Sequence, residues 1–223
     1  MNARSDKLFE KRKLGKLKSD FTPKAALQEP VKKILIVCED SVTEPAYFKC
    51  LAGDLAINIE VHGEECDSPP SAVYKYAKEK FNQSVKAGDE YDHVYCVFDK
   101  DTHTSYQPAL DAIANQPKKF KGKIRAIHSV PCFEIWILLH FVYTTSHFAD
   151  ADALCKEIRN HLPDYKKINR DVFLNIKDKL PDAIKNAQKL MQENEKTGTD
   201  NPATRIHELV EILQEVARSR KHF

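Results

Sequence analysis

Two unbroken apolar runs constrain this chain most, because each ends in acid. Ile34-Leu-Ile-Val-Cys38 runs into Glu39, Asp40 and then Glu44, and His93-Val-Tyr-Cys-Val-Phe98 runs into Asp99 and Asp101. Apolar runs of about five residues without polar alternation fit strands covered on both faces, the setting of a parallel sheet. Helical stretches alternate with them. A helix is expected over about 44–55 with Pro45 in its first turn, and a second strand over 57–61. Pro69 and Pro70 open a helix that carries Val73, Tyr76, Ala77 and Lys80 or Phe81 at helical spacing and is stopped by Gly88. Pro108 begins a short helix to about Asn115, and residues 123–127 read as a fourth strand. The resulting β-α-β-α-β-α-β order predicts an α/β fold: a mostly parallel four-stranded sheet with helices on both faces.

Beyond it the chain reads as helical. Residues 133–141 are apolar all round, the mark of a buried helix. Amphipathic helices are expected over 150–161 and 181–193, then a polar loop over 193–200. A last helix is expected with Asn201 as cap and Pro202 at its first position. The organisation expected is a basic arm (1–30), an α/β core (31–145) and a helical extension packed on it (146–223).

Composition narrows the chemistry. The six glycines form neither G-x-G-x-x-G nor G-x-x-x-x-G-K-[ST], which argues against a Rossmann or Walker phosphate cradle and against any organic cofactor bound that way. No G-x-S-x-G offers a hydrolase nucleophile, and His207-Glu208 lacks the second histidine of a zinc-protease motif. Without a long apolar run or an apolar leader, a cytoplasmic protein is expected, its six cysteines reduced and several of them packed as small hydrophobes. Residues 1–24 hold eight bases against three acids, so a net +5 arm sits on a body of net −3. Lys11, Arg12, Lys13, Lys16 and Lys18 suit contact with a nucleic acid, and equally suit a solvated tail.

In an open parallel sheet, functional groups gather beyond the carboxyl ends of the strands. Glu39, Asp99 and Asp101 are therefore expected in one crevice, where a divalent cation such as Mg²⁺ would turn their repulsion into attraction. Asp99 and Asp101 are two apart, so in an extended segment both face one ion. The alternative is that Asp-x-Asp merely punctuates a turn. Glu134 lies in the apolar stretch Pro131-Cys-Phe-Glu-Ile-Trp-Ile-Leu-Leu-His-Phe141, where an unpartnered carboxylate is costly. It serves either a site or the helix dipole, the latter for only ~0.3–1 kcal/mol. His128 and His140 read as core residues.

These residues resemble a known pattern. Acid-tipped strands at Ile36-Val-Cys-Glu39 and, about sixty residues later, Val97-Phe-Asp-Lys-Asp101 resemble the Toprim arrangement of topoisomerases, primases and OLD-type nucleases. More narrowly, the chain resembles the RloB-like family of phage-defence proteins. The matching segments are Val37-Cys-Glu39, Thr43-Glu44-Pro45 with Tyr47-Phe48, Val97-Phe-Asp-Lys-Asp101, Ser129 with Pro131 to Phe141, Tyr165-Lys-Lys167, and Asn201-Pro-Ala-Thr204 with His207 and Leu209-Val210. The resemblance implies Mg²⁺ (or Mn²⁺) on Glu39, Asp99 and Asp101, with Glu44 as a further acid. It implies Glu134 as the acid of a Cys-Phe-Glu motif, and Lys166 or Lys167 as the group facing phosphate charge. Glu39 is the candidate base. Asp40 stands where the pattern usually has Gly, and Val130 where Asn is common. The implied activity is metal-dependent cleavage of DNA or RNA in antiviral defence (abortive infection). The alternative is a non-catalytic metal-binding partner of an ATPase.

Overall fold

The computed structural model describes residues 32–63, 69–167 and 170–221. The arm, with Lys11, Arg12, Lys13, Lys16 and Lys18, lies outside the described residues, as does Cys66.

The apolar runs form strands β1 (Ile34–Cys38) and β3 (His93–Asp99), and every residue of β1 is buried. With β2 (Glu60–His62), β4 (Ile124–Val130) and β5 (Ala203–Thr204) they make a five-stranded sheet of order β2-β1-β3-β4-β5. The first four strands are parallel and β5 is antiparallel. Helices α1 (Thr43–Asp54), α2 (Pro70–Lys86), α3 (Tyr106–Ala114) and α4 (Glu134–Leu139) follow β1 to β4 in turn. Then come α5 (Ala151–Arg159), α6 (Val172–Ile176), a 3-10 turn (Lys177–Lys179), α7 (Leu180–Thr197) and, after β5, α8 (Ile206–Lys221).

Residue parity on each strand assigns its two faces. Ile34, Ile36, Cys38, Tyr95, Val97 and Ile127 pack into a large core with α1 and α4 to α8. Leu35, Val37, Val94, Cys96, Phe98 and Ile124 pack into a second core under α2 and α3. Burying each large apolar side chain contributes roughly 1.5–3 kcal/mol. In the larger core Tyr47 meets Phe133 and Phe173 edge-on, with ring centroids 5.5 and 5.2 Å apart. This joins α1, α4 and α6 beneath the carboxyl edge of the sheet.

The structure departs from the expected elements at several points. Residues 57–59 lie outside the ladder, because the Ile57 N–H closes the end of α1 on Ala52 O at 3.0 Å and Ala56 turns through a positive φ of 54°. On the sheet-facing side of α2 Tyr74 is buried beside Val73, Ala77 and Phe81, while Tyr76 packs half-buried against the same core and reaches His62. The sheet has five strands, not four, and β4 runs to Val130. The added pairing joins Ser129 to Thr204 and Val130 to Ala203. The expected cap at Asn201 and first-turn Pro202 are corrected by the same contact: α8 begins at Ile206, whose N–H donates to Thr204 Oγ1 at 3.2 Å. Asn201 instead accepts from Phe148 N and donates to Phe148 O. The expected polar loop over 193–200 is mostly helix, since α7 runs to Thr197 and stops at Gly198 with φ 72°. No helix among the described residues is long and apolar enough to cross a membrane.

Candidate functional site

The strand order reverses direction between β1 and β3, which opens a crevice at their carboxyl ends. Register brings those ends level: Cys38 pairs with Val97, and Asp99 with Ser129 on β4. Glu39 leaves β1 with its own N–H on Val97 O at 3.0 Å. Its side chain turns toward β3, where Oε2 accepts from Asp99 N at 2.9 Å. The other oxygen faces His103 Nε2 at 2.8 Å.

Asp99 is the hinge of the cluster. Its Oδ2 accepts from Phe133 N at 3.0 Å, which fixes it to the turn that starts α4. Its Oδ1 is buried without a hydrogen-bond partner among the described residues. That turn also carries Cys132 and Glu134, both 3% exposed. One ligand atom from each of Asp99, Cys132 and Glu134 lies within 4.8 Å of the other two. Glu44, in the first turn of α1, is 1% exposed, and its Oε2 accepts from Asp40 N at 3.4 Å. Asp40 folds back on its own loop, accepting from Val42 N at 3.1 Å and Thr43 N at 2.7 Å.

Asp101 is placed differently from Asp99. It lies in the turn beyond β3 with φ 31°, its side chain is exposed, and its N–H donates to Pro131 O at 2.9 Å. The two-residue periodicity that would aim it beside Asp99 ends with the strand. Its charge nonetheless reaches Glu39. The two lysines also part company. Lys167 is tied to the start of α1 through Thr43 Oγ1, which donates to Lys167 O at 2.7 Å, and its ammonium senses Glu134, Asp101 and Asp99. Lys166 lines a neighbouring cleft of about 750 Å³ with Arg159, Tyr165 and Arg170.

The electrostatics follow from crowding. Burial raises the carboxyl of Glu44 well above its ordinary range, and Asp99, Asp40 and Glu39 raise it further. Burial and then Glu134 do the same to Asp99, against the Phe133 N–H. Glu39 and Glu134 are also raised, chiefly by burial. Burial would lower the Lys167 ammonium, but Glu134 and its neighbours outweigh it and hold the proton on. A divalent cation fits this donor set, because it would meet the orphaned Asp99 oxygen and relieve the repulsion among the acids.

A family model described as RloB-like protein matches residues 34–213. The chain belongs to the RloB-like family. The match runs from β1 into α8, so it takes in every acid described above. Curated proteins and solved structures return no match to the chain.

In this RloB-like chain, sequence reasoning gives no site role to His103, nor to Cys132 and Tyr165, although the latter two stand in the segments that carry the resemblance. Cys132 shares an apolar run with buried hydrophobes, and only the turn that brings it to Asp99 sets it apart. Tyr165 is 1% exposed with its hydroxyl unpartnered among the described residues. Its signal was adjacency to the Lys166-Lys167 pair. His103 follows Asp101 by two residues, which was its only local sign. His128 and His140 stay outside the cluster, as core residues do: His140 Nδ1 meets Trp136 O at 2.9 Å, and His128 Nδ1 meets the Tyr106 hydroxyl at 2.7 Å.

Proposed function

We propose that this RloB-like chain is a Mg²⁺- or Mn²⁺-dependent nuclease of the Toprim type, cleaving phosphodiester bonds of DNA or RNA in antiviral defence. The observation that carries the reading is the gathering of Glu39, Glu44, Asp99 and Glu134 at the carboxyl edge of β1, β3 and β4, with Lys167 and His103 facing them. Buried like charges of this density are costly unless a cation joins them. Glu39, Asp99 and Glu134 would hold the ion, with Glu44 behind them and Asp101 at the open side. When bound, the ion supplies Lewis-acid polarisation of the phosphodiester and a more acidic water.

The chain's own residues then have distinct tasks. Glu39 is positioned by the Asp99 N–H and, with His103 on its other oxygen, is the proton acceptor of the site. Lys167 presents positive charge where a cleaved phosphate gains negative charge. Lys11, Arg12, Lys13, Lys16 and Lys18 would hold the nucleic-acid backbone. The test is cleavage of DNA and of RNA with Mg²⁺, Mn²⁺ or chelator, using wild type, Asp99→Ala and Asp101→Ala. Metal-dependent cleavage by wild type, reduced at least about 100-fold in Asp99→Ala, is expected. Equal inertness of all three sinks the reading.

A second reading is favoured by the depth of Glu44 and Glu134, 1% and 3% exposed. In it the acids form a structural metal centre, and the protein acts as the partner of an ATPase. Such a chain binds the divalent ion and cleaves nothing.

A further inference from the structure

The acids of the cluster do not stand alone, because a sulfur stands among them. Asp99 comes from the end of β3, Cys132 from the turn between β4 and α4 and Glu134 from the start of α4, and their ligand atoms lie within 4.8 Å of one another. Bonds of about 2.0–2.3 Å in a tetrahedral site hold ligand atoms roughly 3.3–3.8 Å apart, so the side chains need only small rotations to close on one ion. The turn is already fixed. Phe133 N holds Asp99 Oδ2 at 3.0 Å, and Ile135 N donates to Cys132 O at 3.1 Å.

Two buried polar atoms of the residues named so far bear on this trio, each without a hydrogen-bond partner among the described residues. One is Asp99 Oδ1, on the side chain that supplies a ligand. The other is the hydroxyl of Tyr165, a residue 1% exposed whose proton is held on by burial and then by the charge of Glu134. Buried polar atoms are normally satisfied, and an orphaned oxygen on one member of a trio of ligand atoms marks a place built for something further. A hard ion such as Mg²⁺ has little use for sulfur, whereas Zn²⁺ and Co²⁺ take thiolate and carboxylate together.

We infer that Asp99, Glu134 and the Cys132 sulfur form a mixed thiolate–carboxylate site for a Zn²⁺-class transition-metal ion. The inference rests on the proposed metal-binding role of the same acids and assigns them a second, competing ion. Because Asp99 and Glu134 belong to both arrangements, a Zn²⁺-class ion excludes Mg²⁺ from them.

The test uses Co²⁺ as a visible stand-in for Zn²⁺ on the purified full chain. Wild type is expected to take up about one equivalent with a near-ultraviolet thiolate-to-cobalt absorption that excess Mg²⁺ does not remove. Cys132→Ser is expected to lose that absorption and at least about tenfold in cobalt affinity, while Cys50→Ser keeps both. X-ray absorption on the cobalt-loaded wild type needs no variant and is expected to show one sulfur at about 2.3 Å. Absence of cobalt uptake, a sulfur-free ion or an absorption that persists in Cys132→Ser overturns the inference. Cleavage in Mg²⁺ is scored separately: an inert protein with the cobalt–sulfur signal intact defeats the nuclease reading and upholds this one.

Discussion

The backbone N–H of Asp99 donates to Glu39 Oε2 at 2.9 Å, so the acid that ends one strand is held by the backbone of the acid that ends its neighbour. Sixty residues separate the two. The bond orients Glu39 without spending either Asp99 carboxylate oxygen. Glu39→Gln keeps an acceptor for that N–H and removes the charge. The expected outcome is an unchanged melting temperature within a few degrees, with divalent-ion affinity and cleavage both down at least about tenfold. Calorimetric titration and a cleavage assay on the same preparation check it.

Metal stabilisation should depend on pH. The folded pKa values of Glu39, Glu44, Asp99 and Glu134 lie above their unfolded ones. Their contribution to stability is therefore full below the unfolded carboxylate range, near pH 4, and is lost as pH rises through the folded values. His128 and His140 run the other way. Both are lowered from 6.5 to about 4 by burial, so they destabilise the fold as pH falls through that window. Subtracting melts in chelator from melts in Mn²⁺ at each pH cancels the histidines. The difference should grow from pH 5 to pH 7, and a flat difference counts against a metal on these acids.

Lys167 and Lys166 are neighbours in sequence that face different surroundings. Lys167→Ala is expected to lower kcat of cleavage by about tenfold or more with KM little changed, as for loss of a group that meets transition-state charge. Lys166→Ala should leave kcat within about threefold. Steady-state kinetics on the two variants separates them.

Gly63 follows β2 where the chain passes the first turn of α1. A Cβ there would stand 2.4 Å from Pro45 Cγ and 2.6 Å from Asp40 O. A carbonyl and a proline ring yield little, so Gly63→Ala is expected to cost about 1–3 kcal/mol. It should also displace the turn that seats Glu44. Urea unfolding measures the first effect and metal titration the second.

Asn201 clamps the loop before α5 through both ends of its amide, accepting from Phe148 N at 3.2 Å and donating to Phe148 O at 2.8 Å. Asn201→Ala removes both bonds and is expected to cost about 1–3 kcal/mol in urea unfolding. Metal affinity should be unchanged, because Asn201 touches none of the acids.

Most of the α/β half was legible in the chain, because its signals are local. An unbroken apolar run reads as a two-faced buried strand wherever it lies, and acid directly after it must emerge at the carboxyl edge. Glu39 and Asp99 were legible as a pair for that reason. Glu134 was legible because a carboxylate in an apolar stretch needs an explanation. The short pieces were not legible. Strand β5 is two residues long, and its pairing depends on the buried Ser129–Thr204 hydroxyl contact across 75 residues. Asn201-Pro202 has the signature of a helix start, and that pairing moves the start to Ile206.

The amino-acid sequence by itself determined the layered α/β plan, the acid-tipped strands and the absence of a glycine phosphate cradle. Patterning of period two and period 3.6 fixes which residues must leave water, and nothing distant alters it. Tertiary structure alone decided who meets at the site. It placed Cys132 with Asp99 and Glu134, set His103 on Glu39, and turned Asp101 outward at the end of β3. It also gave Lys167, not Lys166, to the acids, through a bond between Thr43 and a residue 124 positions away. Those choices depend on packing between distant segments, where one hydrogen bond or one turn dihedral redirects a side chain without leaving any trace in the local pattern.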